Sequence, residues 1–313
     1  MADDRYVAQV QLLVRTIPEI AREESFALKG GTAINLFLRD LPRLSVDIDL
    51  VYLPVADRAS SLEAVRAGLG RIADRLEGRL GFKVARHLLP DGKRLIVSAD
   101  ASSIKVEVSP VLRGTVFDPE LRSVSPAVEE RFGFAEMQMV SLPDLYAGKI
   151  AAALDRQHPR DLFDVHFLYE NEGITDDLFR AFLIYLVSHP RPAHELLCPH
   201  RLDLSAQYGE EFVGMTVEEV PLATLLEARE RLIQEIQGRA RGEGARRFLM
   251  SFHALEPDWA AIGFADPIGD LPAVQWKRLN LERLRATNTS KFTKQLEALA
   301  RCLDAEGALR AGA

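Results

Sequence analysis

The sequence predicts a mixed α/β protein: a small mixed sheet with its helices over residues 1–140, then a mainly helical lobe over 141–313. Three observations carry this. Segments in which apolar and polar residues alternate, the mark of half-buried strands, are confined to the first 112 residues. From about residue 141 the apolar positions recur every three or four residues, the helical period. At 313 residues and 47% hydrophobic, the chain is long enough for two lobes with cores of their own.

Residues 5–23 read as an amphipathic helix with Val7, Val10, Leu13, Val14, Ile17 and Ile20 on one side. Pro18 is expected to bend or shorten it, because proline removes a helical N–H. Phe26-Ala-Leu-Lys29 is a short strand, and two glycines lead from it into a helix over 32–39 carrying Ala33, Ile34, Leu36 and Phe37. A strand over 45–52, a long helix around 60–80 and strands near 82–89, 93–99 and 104–112 follow, with Asp91-Gly92 as the hairpin turn between the first two of those three. Ser141, with Asp144 three residues on, is a capping signal for a helix beginning at Leu142. Further helices are expected over 160–169, 176–188, 221–237, 245–254 and 272–303, with the Pro/His-rich stretch 189–201 as a loop.

In Ser45-Val-Asp-Ile-Asp-Leu-Val51, Val46, Ile48 and Leu50 share one face, and Asp47 and Asp49 share the other. Two carboxylates that close repel unless a cation lies between them, and a divalent ion is the obvious candidate. Gly30-Gly31-Thr32, a glycine turn at a helix start, offers bare backbone N–H groups to a phosphate. Metal plus phosphate is the chemistry of nucleotide transfer. Glu107, in Ile104-Lys-Val-Glu-Val-Ser109, is the candidate third metal ligand, because Ile104, Val106 and Val108 face inward and leave it on the polar face. The plain reading of that face is an exposed row of Lys105, Glu107 and Ser109.

Two other features invite chemistry. Lys149 sits among Ala147, Gly148, Ala151 and Ala152 on an apolar helix, where an ammonium is buried, snorkels outward or meets an anion. Asp161 and Asp164 lie three residues apart on the following helix, after Arg160. Taken alone, the residues favour a salt bridge tying two helices.

Composition excludes some function classes. The net charge of −7 argues against a protein that coats nucleic acid non-specifically, yet it permits a local patch. Lys277, Arg278, Arg283, Arg285, Lys291 and Lys294 have only Glu282 as counter-charge in their stretch. Leu279 and Leu284 are expected to face the core there, leaving the cations outside. Arg239, Arg241, Arg246 and Arg247 form a second cluster. Each reads either as a solvated helix face or as an RNA surface. No apolar run approaches the roughly 20 residues of a membrane span, and the N-terminus lacks a basic-then-apolar signal, so a cytoplasmic protein is expected. Cys198 and Cys302 are far apart and suggest no disulfide framework. His189, His194, Cys198 and His200 match no common zinc spacing.

Gly30-Gly31-Thr32 followed by Arg43-x-Ser45-x-Asp47-Ile-Asp49, then Lys149 and Arg160-Asp-Leu-Phe-Asp164, resembles the polymerase-beta-type nucleotidyltransferases. Within that superfamily the sequence is most similar to the AbiEii/AbiGii-like toxins of type IV toxin–antitoxin systems. The resemblance implies a nucleotidyltransferase core with two Mg²⁺ (or Mn²⁺) ions on Asp47, Asp49 and Glu107. It implies phosphate binding by Gly30, Gly31, Thr32 and Ser45 and contact of Lys149 with the nucleotide. One of Asp161 or Asp164 would complete the active site. An NTP would donate its nucleoside monophosphate to RNA, with a tRNA 3′ end as the expected acceptor, so blocking translation, and a separate antitoxin protein is the implied partner. Two rivals stay open on the residues alone: a D-x-D glycosyltransferase using nucleotide sugars, and a non-catalytic binding protein on the same fold. Glycosyltransferase D-x-D motifs follow a nucleotide-binding half of about a hundred residues, whereas this one precedes residue 50.

Overall fold

The computed structural model describes residues 4–88 and 94–304. The Asp91-Gly92 turn lies outside the described residues. Two compact units form: residues 1–145 with 207–221, and residues 146–206 with 222–313.

The first unit is built on α1 (Asp4–Ala21), β1 (Phe26–Lys29), α2 (Gly30–Thr32, continuing as a π-helical turn over Ala33–Leu38), β2 (Asp47–Tyr52), α3 (Arg58–Leu80), β3 (Lys83–His87), β4 (Arg94–Ala99), β5 (Ser102–Arg113), β6 (Glu120–Ser123), α4 (Pro126–Phe132) and β7 (Glu136–Met139). The strands form one seven-stranded mixed sheet in the order β3-β4-β5-β2-β1-β7-β6, with β2 parallel to β5 and β1 parallel to β7. The expected fold class is the one observed.

Alternation sets the faces of this sheet. Leu28, Ile48, Leu50, Leu95, Val97, Val106 and Val108 are buried on one side. Helix α1 packs against β5 and β7, and α3 against β3 and β4. Leu13, Ile17 and Ile20 of α1 are fully enclosed, each contributing about 1.5–3 kcal/mol of burial. Pro18 does not shorten the helix as expected: α1 runs through it to Ala21, and Pro18 lies on its exposed side. Asp57 caps α3 by accepting from the Ser60 N–H, and Gly81 closes it in the left-handed conformation. Strand β7 alternates, with Met137 and Met139 inward, but at four residues it is too short to stand out, and neither it nor β6 and helix α4 was expected from the sequence.

Residues 207–221 return to the first unit by backbone pairing. The Leu44 N–H donates to the Met215 carbonyl and the Val217 N–H to that of Pro42, with a bridge between Arg43 and Thr216. The segment carrying Arg43 and Ser45 into β2 is thereby held from outside the sheet.

The remaining helices are α5 (Leu142–Arg156), α6 (Pro159–Asn171), α7 (Asp176–Ser188), α8 (Ala193–Leu197), α9 (Ser205–Glu211), α10 (Leu222–Ala240), α11 (Glu243–His253), α12 (Pro272–Thr287) and α13 (Thr289–Asp304). Ser141 and Asp144 cap α5 as expected: the Asp144 N–H donates to Ser141 Oγ, and Ser141 Oγ donates to the Asp144 carboxylate. Within the second unit α6 packs on α10, α12 on α7 and α13, and α13 on α8 and α11. Three expectations are corrected here. The helix over 272–303 is broken at Asn288, which leaves helical geometry and caps α13 by accepting from the Lys291 N–H. The 189–201 stretch holds the short helix α8 within it. Cys198 and Cys302, 104 residues apart, are joined by a disulfide across Cα atoms 6.4 Å apart, tying α13 to the end of α8.

Candidate active site

Pairing in the sheet assembles charge at one place. Across four strands, Lys29 of β1 pairs with Asp49 of β2, Asp49 with Glu107 of β5, and Glu107 with Arg94 of β4. One pleat away Asp47 pairs with Lys105. Directly paired residues project to the same face, so Asp47, Asp49 and Glu107 stand together with Lys105 among them.

The glycine turn abuts this row. Gly30 has φ +77°, and a Cβ built there would lie 2.7 Å from Asp49 Oδ2. A Cβ on Gly31 would lie 2.8 Å from an Arg43 guanidinium nitrogen and 3.0 Å from Ser45 Oγ. At both positions a methyl would crowd the side chains of Asp49, Arg43 or Ser45, and at Gly30 the positive φ favours glycine as well. Thr32 Oγ1 donates to the Asp47 carbonyl at 2.5 Å and lies 3.0 Å from Ser45 Oγ. Asn35 Nδ2 donates back to the Gly31 carbonyl within the π-helical turn. Thr32 itself is buried, so its hydroxyl fixes strand β2 to the glycine turn.

Glu107 is held by Lys105 at 2.9 Å. The Lys105 pKa is raised, first by that hydrogen bond and then by the charges of Asp47, Glu107 and Asp49, against partial desolvation. Among the described residues no three His, Cys, Asp or Glu side chains form a set able to hold a metal ion. Asp47 and Asp49 nevertheless suit a hard divalent cation as oxygen donors on one face, beside a cradle that a Cβ would fill. Sequence reasoning assigned no role to Arg43 or Lys105. Their signal was available: Lys105 lies one pleat from Glu107, and Arg43 precedes Ser45 in the motif.

The second unit gathers Lys149, Asp161 and Asp164. Lys149 Nζ lies 2.8 Å from Asp161 and 2.9 Å from Asp164, and Arg156 adds a 2.6 Å contact to Asp161. Lys149 is 8% exposed and both carboxylates 1%. Burial alone would raise the Asp161 pKa, but Lys149 and Arg156 outweigh it and hold the carboxyl well below the usual range. The cluster ties α5 to α6, as the residues alone favoured.

The cationic stretch on α12 and α13 sorts itself into two groups. Lys277 is not on the surface as expected. It is 6% exposed, and its ammonium donates to the carbonyls of His189 at 2.6 Å, Pro190 at 3.4 Å and Arg191 at 2.8 Å. Burial pushes its pKa down to about 8, with Glu195 opposing. Leu279 turns outward instead, 57% exposed beside Trp276 at 52%, because Val274, Lys277 and Leu281 form the inward stripe. Arg278 is half-buried, whereas Arg283, Arg285, Lys291 and Lys294 are exposed and make no ion pair among the described residues. In the other cluster Arg239, Arg246 and Arg247 are paired with Asp176, Asp304 and Asp258.

A family model described as nucleotidyl transferase AbiEii toxin of the type IV toxin–antitoxin system matches residues 11–278. The fold is similar to that of MenT4, a nucleotidyltransferase toxin from Mycobacterium tuberculosis H37Rv, with a TM-score of 0.57 and 15% identity over 94% of this chain and 93% of that one. No curated protein matches the sequence. No helix among the described residues is long and apolar enough to cross a membrane.

Proposed function

The chain belongs to the AbiEii family of nucleotidyltransferase toxins, and from that premise we propose that it moves a nucleoside monophosphate from an NTP to an RNA acceptor in a metal-dependent reaction. The observation that carries this reading is the placing of the Asp49 carboxylate beside the Gly30 turn, where an added Cβ would lie 2.7 Å from it, with Asp47 on the same face.

Each residue has a part in this reading. Asp47 and Asp49 are the residues that would hold a divalent ion, with Glu107, ion-paired to Lys105 in the structure, as the third carboxylate that would join them. When bound, a divalent cation would neutralise the triphosphate and lower the pKa of the acceptor hydroxyl. Gly30 and Gly31 let a phosphate approach the backbone. Arg43 and Lys105 would supply positive charge beside it, and Ser45, whose hydroxyl proton serves Thr32 Oγ1 in the structure, would give it to the terminal phosphate instead. Thr32 positions Asp47 through its carbonyl. Lys149 serves the nucleotide phosphates, with Asp161 and Asp164 keeping its ammonium charged and aimed. Arg283, Arg285, Lys291 and Lys294, together with Arg278, hold the RNA backbone. Lys277 instead holds the His189–Arg191 backbone in place.

A tRNA 3′ end fits as acceptor, because a transfer there would stop translation, and the family supplies an antitoxin partner for such a toxin. Expression in a bacterial host tests the reading. Wild-type protein should arrest growth, RNA from arrested cells should carry added 3′ nucleotides, and Asp47→Ala should do neither. Arrest with unchanged RNA 3′ ends would overturn the RNA acceptor. Equal growth of the two strains at matched protein levels would overturn the proposed activity in cells.

A further inference from the structure

Helices α12 and α13 and the segment 190–195 line an open cleft of about 330 Å³. That lies at the lower end of the roughly 300–1,000 Å³ of small-ligand sites, room for one nucleotide and not for a duplex. Pro190 and Pro192 supply flat apolar walls together with Leu281 and Leu284, while Asn280 and Gln295 bring carboxamides that both donate and accept. Of the charged groups in the lining, Glu195 is ion-paired with Arg191 at 2.9 Å and Lys277 is committed to the carbonyls of residues 189–191. Lys291 is exposed and makes no ion pair among the described residues, so it supplies the charge available to a ligand.

Apolar walls, paired amides and one ammonium match a nucleobase held flat, read at its edge and anchored by its phosphate. Arg283, Arg285 and Lys294 lie exposed on the same two helices, so the surroundings suit a polyanion. Trp276, also exposed on α12, offers a face for a neighbouring unstacked base.

We propose that this cleft takes one unstacked nucleotide of a single-stranded acceptor RNA, with Asn280 and Gln295 on the base and Lys291 on its phosphate. The proposal rests on the reading of RNA as acceptor. It adds a specificity pocket to that reading.

An abasic scan tests it. Short single-stranded RNAs, 5′-labelled with fluorescein and each lacking the base at a different position from the 3′ end, are titrated against the full chain by fluorescence anisotropy. For wild-type protein, loss of the base at one position should weaken binding about tenfold, the scale of one base contact. The double variant Asn280→Ala/Gln295→Ala should bind intact RNA about tenfold more weakly and be indifferent to that abasic position. Lys291→Gln, an exposed change that leaves folding undisturbed, should reduce the salt slope by about one unit. Wild-type binding with a flat scan would overturn the pocket alone, as would a double variant that still discriminates the abasic position. Absence of any RNA binding by wild-type protein would overturn the pocket and the RNA-acceptor reading together.

Discussion

Gly30→Ala separates the cost of strain from the loss of chemistry. Gly30 has φ +77°, and an added Cβ would meet Asp49 Oδ2 at 2.7 Å. An L-residue in that left-handed region costs about 1–2 kcal/mol. Rotation of the carboxylate relieves the Oδ2 contact, but the Asp49 Cβ, 3.2 Å from the added methyl, yields only if strand β2 shifts by a few tenths of an ångström. Either adjustment moves the carboxylate on which the reaction depends. A displacement of about 1 Å in a reacting geometry costs roughly a hundredfold in rate. Gly81→Ala is the control: φ is +68°, and nothing lies within 4 Å of its added Cβ. Both variants should lose a few degrees of Tm, at about 2–4 °C per kcal/mol for a unit of this size. Nucleotide transfer, measured with a labelled NTP, should fall at least about a hundredfold in Gly30→Ala and remain near wild type in Gly81→Ala. Wild-type transfer by Gly30→Ala, with the same Tm loss as the control, would refute the argument that the Asp49–glycine contact is the reacting centre.

Three further outcomes follow from the geometry. Lys149→Met takes away the ammonium that two buried carboxylates share, leaving Asp161 to Arg156, and should cost about 3 kcal/mol in urea denaturation, with Lys149→Arg recovering part of it; an unchanged midpoint for Lys149→Met would remove the buried tie. His253 is enclosed in the second unit, where burial lowers its pKa from 6.5 to about 4, opposed by its bond to the Leu249 carbonyl and reinforced by Lys277 and His194. The folded state then binds fewer protons than the unfolded chain, so stability present above pH 6.5 is lost as pH falls towards 4, by about 3 kcal/mol; His253→Gln should flatten that slope, and an identical slope would discard the assignment. Changing Arg283, Arg285, Lys291 and Lys294 together to Ala should raise KM for RNA and reduce the salt slope by about four units, one for each phosphate contact, with KM for the NTP little changed; equal effects on both substrates would place the RNA elsewhere.

Much of the first unit was legible because two periods dominate it. The alternation of Asp47, Ile48, Asp49 and Leu50 fixed a strand and put both acids on one face, and the structure keeps that arrangement. Other features depend on partners distant in the chain, which local pattern does not carry. The π-helical turn over Ala33–Leu38 read simply as helix, since so few residues do not distinguish the two spacings. The turn closes with the Arg39 N–H on the Ile34 carbonyl five residues back, and Asn35 ties it to Gly31 through its side chain. Residues 207–221 join the first unit through backbone pairs with Pro42 and Leu44, for which no side-chain pattern exists.

Lys277 shows the limit for side chains. Hydropathy turned it to solvent and Leu279 to the core, yet the three carbonyls of residues 189–191 make a better site for an ammonium than the apolar interior alone would suggest. The disulfide between Cys198 and Cys302 was hidden for a similar reason, because proximity in space leaves no trace in a spacing of 104 residues. Lys149, Asp161 and Asp164 were legible as a group, since burial in an alanine-rich helix requires a lysine to find acids.

The most direct test of the account follows the two ends of the triphosphate. Purified protein is incubated with RNA, Mg²⁺ and each NTP in turn, labelled either at the α- or at the γ-phosphate. The account predicts that α label enters the RNA and γ label is released in pyrophosphate. It further predicts that Asp49→Asn, folded and unchanged in Tm, loses the transfer by orders of magnitude. Label from the γ position in the RNA, or undiminished transfer by Asp49→Asn, would contradict nucleotidyl transfer by a metal site on Asp47 and Asp49.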